Sequence, residues 1–263
     1  PAIAFDCWCM SNRITLLAIS ATAAVAAACF GGIEDRPNDF VLRSLKDITL
    51  GGDSTARGSV GADGSIRMGW GAKVTGKAES GERGSWVAPE LPTWRWEDGR
   101  DVSLGWSQAV RLDPGSYGTL KTDSSARIDL TAGDYSFLSM NLGWAGRVVA
   151  DTREGDVYLY IAGGLTAGDA TSFETIGDGT LYLVTDGPAT FGYRSMIDAA
   201  IYSKDSLNFG NAASLTGFAF AEGSINAEYG SSFTYSGAVP GPAAAALLAM
   251  SAGVVAGSRR RRA

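Results

Sequence analysis

The chain has no histidine, and its three cysteines, Cys7, Cys9 and Cys29, all fall within the first 29 of 263 residues. The first absence excludes Ser-His-Asp and Cys-His nucleophilic chemistry and every histidine metal ligand. The second means that a chain shorn of those 29 residues has no thiol, no disulfide and no zinc site, and must be stable through its core alone. There is no Walker loop, and no G-x-G-x-x-G follows a strand and opens a helix, so the usual phosphate and dinucleotide cradles are missing. Positive charge is scarce as well. Without residues 1–28 and 243–263 the chain keeps 17 basic and 27 acidic residues, a net of −10. That balance disfavours nucleic acid and suits solubility in an acidic matrix.

What is abundant is glycine, with 35 residues against 8 prolines, beside ordinary aliphatic and aromatic content. Disorder needs fewer apolar residues than this. Glycines at corners and apolar residues on inner faces make a turn-rich all-β chain.

Both ends read as targeting signals. Met10, Arg13 and the apolar run Ile14 to Ala28 have the layout of a secretory signal peptide, which places residues 1–9 upstream of the true start. The stretch Ala26-Ala27-Ala28-Cys29 admits cleavage at an A-x-A site or lipidation of Cys29. The alanine three places before the cysteine, where a large aliphatic residue is usual, favours ordinary cleavage. At the other end Val239-Pro240-Gly241-Pro242 precedes an alanine-rich run from Ala243 to Gly257, then Arg259-Arg260-Arg261-Arg262. This layout resembles the PEP-CTERM sorting signal of Gram-negative bacteria, with Gly241 where that signal usually has glutamate. The resemblance implies processing by an exosortase and delivery to the envelope or the extracellular polysaccharide matrix. An apolar run of this length spans roughly 22 Å, which suits a transient inner-membrane anchor held by its cytoplasmic arginines. The chain then divides into a signal region (1–29), a body (30–237) and a sorting tail (238–263).

The body repeats at 18 residues. Ile48-Thr49-Leu50 matches Ile66-Arg67-Met68, and Ala56 to Val60 matches Val74 to Ala78. Val110-Arg111-Leu112, Gly115, Tyr117 and Leu120 recur as Ile128-Asp129-Leu130, Gly133, Tyr135 and Leu138. Ser206-Leu207-Asn208 and Leu215-Thr216 recur as Ser224-Ile225-Asn226 and Phe233-Thr234. A further likeness joins the two ends of the body: Ser65 to Gly76 reads like Ser206 to Gly217. Alternating apolar residues with glycines between the runs are strands and turns. Eighteen residues make three six-residue sides, so each repeat is one triangular coil of a single-stranded parallel β-helix. Between Phe40 and Tyr235 there is room for about ten coils, flanked by the two terminal apolar helices. A 24-residue step from Asp156 to Thr180 places an inserted loop near Gly168–Phe173, and Glu79–Asp101, with Trp86, Pro89, Pro92, Trp94 and Trp96, is an excursion from the solenoid.

The order of segments is similar to a family of secreted bacterial proteins distantly related to polymer-forming bactofilins. The residues that carry the likeness are Leu112-Asp113-Pro114-Gly115-Ser116-Tyr117, Gly133-Asp134-Tyr135-Ser136-Phe137, Gly155 to Tyr160, and Ile201-Tyr202-Ser203 with Gly210-Asn211-Ala212. Ser203-Lys204 departs from the family's alanine-proline. The resemblance implies a right-handed helix, where the period alone allows either hand.

Catalysis on such a scaffold needs two or three carboxylates facing one groove. Asp156, Asp178, Asp186, Asp198 and Asp205, with Lys204, are the candidates, and most sit where a corner aspartate would bond its local backbone. Gly51-Gly52-Asp53, Gly61-Ala62-Asp63-Gly64 and Gly177-Asp178-Gly179 lack the regular repetition that lines up carboxylates around calcium. No catalytic set, metal or cofactor is therefore expected. Trp86, Trp94 and Trp96, with Trp70, Trp106 and Trp144, are candidate platforms for stacking sugars, against the simpler role of capping a coil or packing a loop. The expected partners are a processing exosortase, polysaccharide or surface proteins, and further copies stacked coil to coil. A polysaccharide hydrolase or lyase is the alternative.

Overall fold

The computed structural model describes residues 40–81 and 99–236. Among these residues there are 23 strands in one parallel sheet and no helix. Short strands alternate in burial because successive side chains point to opposite sides of the pleat. The chain winds as a three-sided β-solenoid.

Face A carries one three-residue strand, or part of a longer one, per coil. Its first inward residues stack in the order Val102, Leu120, Met140, Leu165, Ala189, Leu207, Ile225, Ile48, Ile66. Face B stacks Val110, Ile128, Val148, Phe173, Ile197, Leu215, Phe233, Ala56 and Val74. Face C runs from Tyr117 and Phe137 through Ile161, Thr185, Ser203 and Ala221 to Ser44, Ala62 and Ser80. Faces A and B have nine rungs each, one fewer than the ten coils expected from length, so the first and last lie roughly 38 Å apart at the usual strand spacing. Arg100 adds a position to face C beside Tyr117. The inward ladders fuse into one buried core.

The stacking order departs from the chain order. The coil holding Ile225 and Phe233, last along the chain, lies against the coil holding Ile48 and Ala56, the first. Residues 40–81 therefore form one end of the stack and residues 100–112 the other. The likeness between residues 65–76 and 206–217 marks this junction: Leu207, Ile225, Ile48 and Ile66 are four successive rungs.

Two details of the repeat reading are corrected. Tyr117 pairs with Phe137 and Leu120 with Met140, a step of 20, where the sequence match set them against Tyr135 and Leu138. A slip of two residues keeps every side chain on its own side of the sheet, so the apolar pattern does not betray it. The inserted loop is also elsewhere. From face A to face B the step is eight residues in every coil, as from Leu165 to Phe173 or from Leu207 to Leu215. The extra residues of the long coils fall between faces B and C, where Phe173 to Thr185 spans twice the six residues from Leu215 to Ala221. The extra length is matched between the two neighbouring long coils, whose loops bond one another between Thr152 and Ile176 and between Thr180 and Asp156. At the margins of the excursion, strands Ala78–Ser80 and Arg100–Leu104 extend the solenoid inward from both sides.

Face C also carries a second apolar layer on its outer side. Tyr160, Tyr182, Tyr202, Phe218 and Phe220 point away from the main core and are buried nonetheless. Burial pushes the Tyr158 and Tyr202 phenols up to about 12. The outer side of face C is thus buried at these rungs, whereas faces A and B and their shared edge present polar side chains to solvent.

Candidate functional site

The carboxylates serve mainly as caps. Asp47 Oδ1 accepts the Ser65 backbone N–H at 2.7 Å and the Ser65 hydroxyl at 2.8 Å, which holds its carboxyl below the usual range. Asp101, Asp156 and Asp169 likewise accept the N–H of Thr119, Thr180 and Tyr193, each one coil onward, and Asp205 accepts that of Ser206. Asp186 pairs with Lys204 at 2.6 Å, and Asp53 accepts the Tyr229 hydroxyl. Asp63 pairs with the buried Arg43. Among the described residues no three carboxylates gather in a way that could hold a metal ion.

Two of the sequence candidates do meet. Asp178 and Asp198 line a groove of about 320 Å³ at the corner between faces B and C, with Thr175, Thr180, Thr216 and Ser236. It forms where the long coil, carrying Ile176 to Thr180, overhangs the two short coils beside it. The Thr175 hydroxyl donates to the Asp198 backbone carbonyl at 3.0 Å. Desolvation raises the Asp198 carboxyl above its ordinary pKa. The raised group prefers its proton in the folded state, so ionisation costs stability as pH rises from the unfolded value through the folded one. Asp198→Asn should therefore melt higher than the parent at neutral pH, and the difference should vanish below the ordinary carboxylate pKa. Melting curves across pH check this, and a gap that widens toward acid would contradict it.

The corner between faces A and B is the most regular feature of the surface. In all nine coils it is a four-residue turn whose third residue has positive φ: Ser107, Ser125, Ala145, Ala170, Arg194, Ala212, Gly230, Asp53 and Gly71. Seven of these are not glycine, a placement that costs roughly 1 kcal/mol or more apiece. The stack enforces it, because the N–H of each of these residues up to Asp53 donates to the carbonyl of the second corner residue in the next coil. The bonds run from Ser107 to Ser124 and from Ser125 to Trp144 through to Asp53 and Trp70, at 2.7–3.0 Å, in all eight intervals. The first corner residue is mostly glycine for a separate reason. At Gly69 a Cβ would come within 2.6 Å of the Gly52 nitrogen in the adjacent turn.

The second corner residue points to solvent. In stacking order this edge reads Trp106, Ser124, Trp144, Asp169, Tyr193, Asn211, Tyr229, Gly52, Trp70. Beside it, the outward column of face A is short and polar in most rungs: Ser103, Lys121, Asn141, Thr166, Thr190, Asn208, Asn226, Thr49 and Arg67. The Asn226 amide donates to Asn208 Oδ1 at 3.1 Å along this column.

Trp70, Trp106 and Trp144 thus share one edge, which Tyr193 and Tyr229, unremarked in the sequence, complete. The signal that could have found Tyr193 is the glycine-aromatic pair that opens its corner, as it opens those of Trp70, Trp106 and Trp144. Trp86, Trp94 and Trp96 lie outside the described residues. So do Ala26, Ala28 and Cys29, Val239 to Pro242, Arg259 to Arg262, and both terminal apolar runs.

No protein-family model and no curated protein matches the chain. Two solved structures are similar in outline. One is an ice-binding protein from an Antarctic biological consortium, 16% identical over 75% of this chain and 87% of that one, with a TM-score of 0.48. The other is an ice-binding protein from the Antarctic ascomycete Antarctomyces psychrotrophicus, 13% identical over 76% and 96%, with a TM-score of 0.42. Neither TM-score reaches 0.5, and the solenoid assignment stands on the strand register itself.

Proposed function

We propose that this protein is an exported structural component of the bacterial cell surface or extracellular matrix, a rigid rod that offers a flat face to polysaccharide. The observation that supports this most is face A: nine rungs in register, with a single outward column of mainly short polar groups. Such a face is preorganised for a long, repetitive, hydrated partner, since little side-chain entropy is lost on contact. The two targeting signals read in the sequence agree with it. On this reading the signal region directs export, the tail contacts the inner membrane transiently, and an exosortase-type enzyme removes it. The end coil, with the half-exposed Met68 and the strand Ile66–Met68 paired on one side only among the described residues, favours end-to-end association of copies.

The test is cell fractionation with mass spectrometry of the termini, together with retention of the full chain on insoluble polysaccharides. Envelope or matrix location, trimmed termini and retention are expected. An intact arginine tail on a cytoplasmic protein that passes through every polysaccharide would overturn the reading.

One observation favours a second reading, hydrolysis or elimination on the same scaffold: Asp178 and Asp198 line one groove, where desolvation raises the Asp198 carboxyl above its ordinary pKa. That reading requires release of reducing ends or unsaturated sugars, abolished in Asp198→Asn. Polysaccharide retention with no released product would eliminate it.

A further inference from the structure

The edge between faces A and B places an aromatic residue on every second rung. The Tyr229 ring leans toward the Gly52 rung, where its hydroxyl donates to Asp53, and the Arg194 guanidinium lies 4.8 Å from the Tyr193 ring centroid. Trp106, Trp144, Tyr193, Tyr229 and Trp70 occupy rungs one, three, five, seven and nine, and the rungs between them carry Ser124, Asp169, Asn211 and Gly52. All five aromatic residues are exposed, from 43% at Tyr193 to 86% at Trp70. Large apolar side chains in such a line are unusual on a soluble surface, where they tend to mark interaction sites. Their backbone positions are fixed as well, because each corner is bonded to the next through the whole stack.

We propose that this edge binds a single extended chain of a β-1,4-linked pyranose polysaccharide, neutral or amino-bearing, with the five aromatic residues as stacking platforms. The inference rests on the polysaccharide reading above and names the chemistry that the edge selects. In a flat β-1,4-linked chain successive sugars are turned by about half a revolution, so a given ring face recurs at every second residue. Twice the inter-strand spacing is about 9.6 Å, and the disaccharide repeat of such a chain is also on the order of 10 Å. Alternate sugars then meet rings, whose faces attract the polarised C–H groups of a pyranose as they attract other positive edges. The sugars between them lie over short polar residues, where a second row of rings would collide with the flipped hydroxymethyl groups. An α-linked chain coils and cannot keep this phase over five platforms. The net charge of −10 for the body disfavours acidic glycans.

The experiment is calorimetric titration of the full chain with cellohexaose and chitohexaose, with maltohexaose as the α-linked comparison. Two variants probe the row. Trp144→Ala with Tyr193→Ala removes adjacent platforms. Ser124→Trp with Trp144→Ser keeps the number of rings but moves one out of phase. All three positions lie at an accessible edge, so both variants should melt with the parent. Binding of a β-linked hexasaccharide, weakened about tenfold or more in the double-alanine variant and less in the swapped variant, which leaves Tyr193, Tyr229 and Trp70 in phase, is the expected result. Equal affinity in parent and variants would overturn the edge assignment while leaving polysaccharide retention intact. Equal binding of maltohexaose would overturn the repeat match. A parent that binds no hexasaccharide overturns the inference, and one that is also released by every insoluble polysaccharide removes the reading beneath it. Dimers of the parent that both variants abolish, without any sugar binding, would make the edge a self-association surface instead.

Discussion

Ending the chain after Gly217 should strip the coils of residues 40–81 from the stack, although only the last solenoid coil and the tail are removed. In a solenoid stacked in chain order, loss of a terminal coil costs one neighbour interface, and the remainder persists. Here the coil from Phe218 to Ser236 is internal. It pairs on one side with Ile201, Leu207 and Leu215, and on the other with Leu42, Ile48 and Ala56. Its removal severs both interfaces on all three faces. The block that remains at 40–81 has fewer than three complete coils, short of what a repeat protein needs to stand alone. The six coils from Val102 to Leu215 keep their own interfaces, so the expected result is loss of amide-exchange protection confined to residues 40–81, with the transition of the remaining block retained. A chain ending after Ser236 is the control and should melt with the parent. Unchanged protection of residues 40–81 in the shorter chain would mean that the stack can close by one rung, seating Ile48 on Leu207, and would refute an essential internal coil.

Phe209→Ala should produce the largest loss of any single substitution in the core. Phe209 is 1% exposed. It stacks on Phe191 at 5.3 Å between centroids and meets Phe233 edge-on at 5.1 Å. Phe191 in turn meets Phe173 at 5.9 Å. These rings bridge faces A and B across four coils, next to the junction where the two ends of the chain meet. Truncation there removes transfer energy, ring contacts and the fill of a space that hydrogen-bonded rungs cannot collapse to close. The loss should be about 3–5 kcal/mol by equilibrium denaturation, against less than about 1.5 kcal/mol for Phe209→Leu. Equal effects of the two substitutions would show that the site relaxes and that the stacked rings contribute little.

The repeat unit was legible because stacking imposes chemistry on each inward position. Ile48 and Ile66, or Leu207 and Ile225, must fill equivalent sections of one ladder, and their likeness survives as an 18-residue period. Coil order was not legible in the same way. Parallel rungs are nearly interchangeable, so the match between 65–76 and 206–217 reads as family likeness until pairing shows that the two coils lie two rungs on either side of a shared junction. The two-residue slip at Tyr117 stayed hidden because burial alternates with a period of two. The candidate edge was half visible. Trp70, Trp106 and Trp144 stand out by type, but Tyr229 and Trp70 become neighbours in a row only once the Gly52 corner is known to lie between them. The pairing of Asp178 with Asp198 required knowing which corner absorbs the extra length.

The joining of first and last coils also sets a schedule. A chain emerging from the ribosome, or threaded through a membrane pore, presents Leu42 and Ile48 early. The strands that flank them on one side, around Ala221 and Ile225, arrive roughly 180 residues later. Until then the earliest coils have an open apolar flank and no stable resting structure. The topology thereby delays completion of the fold until nearly the whole chain is present.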